Sequence, residues 1–169
     1  MNQIPQVDEQ HTISLLVNNR PGVLIRIALV FARRGFNIES LIVSPATDSH
    51  FSRMTISASG DPQILEQIIR QLNKVVDVIH ARDHTSDVVV ERELVLLKVR
   101  CEAQQRTEVL QILDHFDGET VDLCSATLMV ETTGSTEKID ALVEMLQPYG
   151  IVEMVRTGKV IMSRGPDET

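Results

Sequence analysis

The chain has 169 residues, 43% of them hydrophobic and 24% charged, which is the composition of a globular protein rather than a disordered or fibrous one. Its formal net charge of −8 argues against a chain that works by neutralising nucleic-acid phosphates or an anionic membrane surface. Aromatic residues make up only 3%, with no Trp and one Tyr, so base stacking and aromatic cages have little material.

The charge is uneven. Residues 1–86 hold eight Lys/Arg and eight Asp/Glu, whereas residues 87–169 hold eight and sixteen. Cys101 and Cys124 are too few for a disulfide framework or a thiolate zinc site, and are expected to act as small apolar residues in a reducing, cytoplasmic setting. The start, MNQIPQVDEQH, has neither a basic n-region nor an apolar h-region, and no apolar run approaches the ~20 residues of a membrane span.

Residues 1–10 are polar and aperiodic and are expected to form a flexible N-terminal arm. A short apolar strand, Thr12 to Val17, leads into Pro21 and Gly22. Val23, Ile27, Val30, Phe31 and Arg34 then recur at helical spacing until Gly35, a suitable left-handed stop. Residues 36–44 and 51–59 are strand-like; in the second, Met54, Ile56 and Ala58 alternate with polar neighbours, so a hairpin is expected. Asp61 followed by Pro62 predicts a helix start, because Asp accepts orphan amide hydrogens and Pro suits the first helical position. Ile64, Leu65, Ile68, Ile69 and Leu72 trace its inner face, and VVDVIHA (75–81) reads as a strand.

After the polar HTSD (84–87) the order returns. A strand at 92–101 precedes a helix over 104–117 with Val109, Ile112, Leu113 and Phe116 on one face and Gly118 as its stop. Strands at 120–124 and 126–133 follow, then Ser135 as a cap, a helix carrying Ile139, Leu142, Val143 and Leu146, and a strand at 151–156 extended by VIM (160–162). The expectation is an α+β protein of two tandem ferredoxin-like βαββαβ units: residues 11–83, a linker over 84–91, residues 92–165, and a 166–169 tail. Units of ~70 residues bury a modest share of their surface, which favours pairing with another chain, so a homodimer is expected.

NNRPGVL (18–24) lies where the first strand meets the first helix. The amides of Gly22, Val23 and Leu24 fall in the first turn, where unpaired donors and partial positive charge suit a carboxylate. Gly22 permits close backbone approach, and Asn19 offers both a donor and an acceptor to the head group of an amino acid. The alternative is that Asn19 merely caps the helix. In RRGFNIESL (33–41), Asn37 stands either at a strand end beside a ligand or in the turn after Gly35, while Glu39 and Ser40 read as a solvated strand face.

Catalytic patterns are thin. His11, His50, His80, His84 and His115 show no metal-ligand spacing and are expected at the surface. Cys101 and Cys124 both fall in strand-like runs, where a buried thiol is inert. Neither GxGxxG nor a Walker lysine occurs, and Asp114, Asp117, Glu119 and Asp122 lack calcium-loop spacing, so they read as a solvated acidic surface.

NNRPGVLIRIALVFARRGFNIESLIV, with SRMTI (52–56), VERELVLLKV (90–99) and SRG (163–165), resembles the regulatory small subunit of acetohydroxyacid synthase, also called acetolactate synthase, from about His11 to Gly165. The resemblance implies an effector-binding ACT domain over 11–83 followed by an ACT-like domain over 92–165, in a homodimer whose first domains join edge to edge. It implies a non-catalytic chain that binds and activates a thiamine-diphosphate-dependent large subunit and confers feedback inhibition by valine or another branched-chain amino acid. Thiamine diphosphate, Mg and FAD are expected in that catalytic partner and none of them in this chain. Carried over position by position, Asn19, Gly22, Val23 and Leu24 match the segment holding the effector's polar head, and Asn37 and Ile38 the segment from the neighbouring protomer. IRIALV (25–30) lacks the serine and glycine often seen there, and the second repeat has Glu102–Gln105 in place of a PGVL element, so sites are expected in the first domains alone. The alternative reading is a stand-alone amino-acid-binding ACT sensor acting on another enzyme.

Overall fold

The computed structural model describes residues 9–166 and 168–169. The expected arm over 1–10 falls mainly outside the described residues, and its last two positions, Glu9 and Gln10, already belong to the first strand. The chain divides into two compact units: one runs up to Val90 and includes Ile161–Thr169, the other is Glu91–Val160.

The first unit contains β1 (Glu9–Asn18), α1 (Val23–Ala32), β2 (Asn37–Pro45), β3 (Phe51–Gly60), α2 (Pro62–Leu72) and β4 (Val78–Asp83). Its sheet has the order β2-β3-β1-β4 with every neighbouring pair antiparallel. The two-residue period of the strands sorts the side chains. Ile13, Leu15 and Val17 of β1 and Met54, Ile56 and Ala58 of β3 enter the core, where they meet Val23, Ile27 and Phe31 of α1 and Leu65, Ile68 and Leu72 of α2. Both helices therefore lie on one face of the sheet, and Ser14, Arg53 and Thr55 stand on the other.

The helix ends follow local chemistry. Gly35, at φ +70°, ends α1 in a Schellman turn: Phe36 N–H reaches Phe31 O at 3.3 Å and Gly35 N–H reaches Ala32 O at 3.2 Å. Asp61 caps α2, its carboxylate accepting from Gln63 N–H at 2.7 Å, with Pro62 in the first turn. The strand expected at 75–81 begins only at Val78. Residues 75–77 turn, with Val78 N–H on Val75 O at 2.9 Å, because Asp77 is drawn inward to Arg26 and leaves Val76 92% exposed. A β-branched run cannot by itself separate such a turn from a strand.

The second unit contains α3 (Arg106–His115), β6 (Glu119–Leu123), β7 (Thr127–Gly134), α4 (Thr136–Leu146) and β8 (Ile151–Arg156), together with most of β5 (Val89–Arg100). Its order is β6-β7-β5-β8, the same βαββαβ pattern. Val95, Leu97 and Val99 of β5 pack with Val109 and Leu113 of α3 and Ile139, Leu142 and Leu146 of α4. Ser135 caps α4 through Lys138 N–H at 3.4 Å. The stop of α3 differs from expectation. Asp117 holds the left-handed position at φ +51°, and Gly118 is the next residue, its N–H on Leu113 O at 2.9 Å. Asp tolerates that conformation better than most residues, and Lys138 Nζ sits 2.9 Å from its carboxylate.

Residues 160–162 do not extend β8; Val160–Ser163 form a separate strand, β9, which pairs with β5. The first unit, not the second, holds Ile161–Thr169. Two further expectations are corrected. His11 and His84 are buried rather than superficial, because each finds polar partners inside: His11 Nε2 lies 3.0 Å from Gly60 O, and His84 lies between Ser14 and Asp87. Cys124 is exposed and lies just beyond β6, while Cys101 is buried just beyond β5.

Candidate functional site

β1 ends at Asn18, whose N–H is held by Asp77 O at 2.8 Å. Asn19 N–H donates to His50 O at 2.7 Å, and its side-chain Nδ2 donates to Ser49 O at 3.1 Å. Asn19 thus bridges to the β2–β3 connection and does not cap α1. The cap of α1 is Gly22, at φ +85°, with no side-chain hydrogen bond. That left-handed conformation is what favours glycine here, since a Cβ would meet only Arg26 Nη1 at 3.9 Å, an ordinary contact.

The first turn is therefore a cluster of donors without a side-chain cap. Val23 N–H makes only a long 3.4 Å contact to Arg20 O, and Arg26 N–H takes Gly22 O at 3.2 Å. The helix dipole adds partial positive charge at this end. One turn further on, the Arg26 guanidinium lies beside Gly22 and pairs with Asp77 at 2.5 Å. Sequence reasoning missed Arg26, although its i+4 spacing from Gly22 was the available signal. It also missed the loop at 46–50, which supplies both backbone acceptors for Asn19.

Asn19, Arg20, Pro21 and Gly22 are exposed, and Leu24 is 42% exposed, whereas the side chain of Val23 is committed to the core. Val23 can offer a ligand its backbone and no more. The loop leaves one end of the sheet open to solvent, with polar donors and an apolar Leu24 side by side.

Asn37 and Ile38 lie elsewhere in the same unit. Asn37 begins β2 and pairs with Ser59, while Asn18 pairs with Phe51 at the opposite end of β3. Eight positions of a strand at about 3.3 Å each separate the two ends by roughly 26 Å. Within one chain the fold brings Asn19, Gly22, Val23 and Leu24 together and keeps Asn37 and Ile38 apart from them. Asn37 is exposed, with Nδ2 donating to Glu39 Oε1 at 2.7 Å. Ser59 Oγ donates to the same oxygen at 2.7 Å. The Ser59 and Asn37 bonds hold the Glu39 carboxyl below its ordinary range. Ile38 is half-buried and packs against the core. Among the described residues β2 is an edge strand, the kind of strand whose outer backbone groups can pair with another chain.

Among the described residues no three His, Cys, Asp or Glu side chains gather as a metal set.

Comparison with known proteins gives a consistent assignment. Residues 13–80 match the family described as AHAS small subunit-like ACT domain, and residues 92–165 match the small subunit of acetolactate synthase. A probable acetolactate synthase small subunit from Methanothermobacter thermautotrophicus is 48% identical over 158 residues, spanning 93% of this chain and 94% of the relative. The acetolactate synthase small subunit of Mycolicibacterium smegmatis is 45% identical over 156 residues, spanning 92% of each. The crystal structure of the Thermotoga maritima small subunit superposes with a TM-score of 0.82 at 35% identity, covering 94% of this chain and 99% of that one. The fold, the two βαββαβ units and these relatives together place the chain in the acetolactate synthase small-subunit family.

Proposed function

We propose that this chain is a non-catalytic regulatory subunit, which binds and activates a thiamine-diphosphate-dependent catalytic subunit in the cytoplasm and confers feedback inhibition by valine or a related branched-chain amino acid. The reaction's thiamine diphosphate, Mg and FAD then belong to the catalytic partner. The observation that carries the reading is the uncapped start of α1 at Gly22, where backbone donors, the Arg26 charge and exposed Leu24 converge.

The effector's carboxylate sits over the amides of Gly22, Val23 and Leu24. Because Asn19 Nδ2 is already engaged with Ser49 O, its Oδ1 is left to accept from the effector's ammonium. The branched side chain packs on Leu24, and the neighbouring protomer of a homodimer adds Asn37 and Ile38. What supports a two-chain site is that Asn37 and Gly22 lie at opposite ends of one sheet, so only a second copy can bring them together. Effector binding is then linked to assembly, since a ligand that needs both chains stabilises the pair.

Isothermal titration of the full chain with valine, with leucine and isoleucine as comparators and histidine as the control, tests this. Saturable valine binding at one site per chain or fewer is expected. Absence of binding both alone and with the catalytic subunit present overturns the effector assignment.

A further inference from the structure

The face of the first sheet turned away from α1 and α2 carries an ordered set of basic groups. Leu16 of β1 pairs with Arg53 on one side and His80 on the other, and Ser14 pairs with Arg82. Period-two alternation puts all of these side chains on the same face, so Arg53, His80 and Arg82 come from two strands that flank β1.

The terminal segment lies on that row. Arg53 Nη1 donates to the main-chain oxygen of Thr169 at 2.6 Å, with His80 Nε2 3.4 Å from the same oxygen. Arg53 Nη2 lies 3.4 Å from the Glu168 carboxylate, and Arg82 Nη1 donates to Glu168 O at 3.3 Å. The segment is also tied to itself, Ser163 N–H donating to Thr169 Oγ1 at 2.7 Å. Thr169 is buried as a result. Beneath the segment is a cavity of about 300 Å³ whose walls include Thr47, Arg53, Thr55, Met162 and Thr169.

Thr47 is the informative wall. It belongs to the loop between β2 and β3, and the same loop holds Asn19 through Ser49 O and His50 O. That loop is internally braced: Ala46 N–H bonds Phe51 O at 3.0 Å, and Asp48 Oδ1 accepts from His50 N–H at 3.0 Å. Arg53 follows it by three residues on β3. The clasp residue Arg53 is continuous with this braced loop through Phe51 and Ser52 of β3, and Thr47 and Thr169 wall the same cavity.

We propose that the segment comprising residues 161–166 with Glu168 and Thr169 is a regulatory strap of the effector site: clasped by Arg53, it holds the β2–β3 loop, and through that loop Asn19, in the arrangement that receives the amino acid. Opening the strap loosens the loop and weakens the effector's hold. The inference rests on the reading of Asn19 as an effector ligand, and its structural half, the link from strap to loop, stands without any ligand.

The test is hydrogen exchange on the full chain, comparing wild type with Arg53→Ala, followed by valine titration of both. Exchange of backbone amides in 161–169 and also in 46–50 is expected to rise at least fivefold in the variant, while α2 is unchanged, and the valine Kd is expected to weaken at least fivefold. If Arg53→Ala fails to fold, Thr169→Ala serves instead: it removes the acceptor of Ser163 N–H without touching the sheet, and is expected to act in the same direction. Faster exchange in 161–169 with 46–50 unaltered overturns the coupling; no change in either overturns the clasp. Unaltered valine affinity with both segments loosened overturns the regulatory role. If wild type binds no valine either alone or with the catalytic subunit present, the effector reading fails by itself, and the strap-to-loop link is still decided by the exchange data.

Discussion

Ser14 Oγ lies 2.8 Å from His84 Nε2, with both residues buried, and His84 Nδ1 lies 2.9 Å from Asp87 Oδ2. A carboxylate can only accept, so Nδ1 carries the hydrogen that faces Asp87, and Nε2 is left to bond the Ser14 hydroxyl. The three side chains fasten the segment after β4 to the middle of β1. Within this relay of hydrogen bonds Ser14 is only 5% exposed. Ser14→Ala leaves a buried ring nitrogen without its partner and is expected to cost about 1–3 kcal/mol. Urea denaturation of the full chain measures it, and a loss below a few tenths of a kcal/mol would refute the relay.

Gly22 separates conformational from electrostatic effects. Gly22→Asn places a residue tolerant of positive φ at the cap without charge, and is expected to keep the fold with at most about 1–2 kcal/mol of strain. Gly22→Asp adds a negative charge at the position proposed for the effector's carboxylate, and is expected to abolish valine inhibition while leaving stimulation of the catalytic subunit intact. Inhibition retained in the Asp variant would defeat the site assignment.

The Glu39 carboxyl reports on Asn37. Its lowered pKa arises first from Ser59 and second from Asn37, so Ser59→Ala is expected to raise it more than Asn37→Ala does. The sign follows from linkage: with the folded value below the unfolded one, the stabilisation is present above the ordinary carboxylate range and is lost as pH falls through the folded value. Saturating valine, by drawing Asn37 to the neighbouring protomer's ligand, is expected to raise the Glu39 pKa as well. Carboxyl-carbon NMR titration follows each step.

In the second unit Arg156 holds two carboxylates of very different burial. Glu93 is 4% exposed at its side chain and receives two hydrogen bonds from Arg156, whereas Asp140 is 58% exposed and receives one. Arg156→Ala strands a buried charge and is expected to cost about 3–5 kcal/mol. Asp140→Asn is expected to cost less than about 1 kcal/mol, because water already screens that pair. Thermal denaturation of the two variants compares them, and equal losses would contradict the difference in burial.

Much of the fold was legible along the chain because its signals are local. Val23, Ile27 and Phe31 mark a helix by spacing alone, and Asp61, Ser135 and Gly35 mark helix ends through bonds that span five residues or fewer. The same holds for the uncapped start at Gly22, since the residues that form it are contiguous. Where local signals were ambiguous, packing decided. Asp77 turned inward to Arg26 and delayed β4, and Asp117 took the left-handed position expected for Gly118. His11 and His84 were expected at the surface because nothing near them in sequence shows the partners that bury them: His84 meets Ser14 across 70 residues and His11 meets Gly60 across 49.

The sequence by itself determined the α+β class, the repeated βαββαβ order and the candidate loop at Asn19–Leu24, because hydrophobic period and capping chemistry act over a few residues. Tertiary structure alone decided that Asn37 lies at the far end of the sheet from Gly22, and that Thr169 returns across 116 residues to Arg53. Those relations depend on strand register and chain return, in which contacts between residues distant in sequence outweigh local preference.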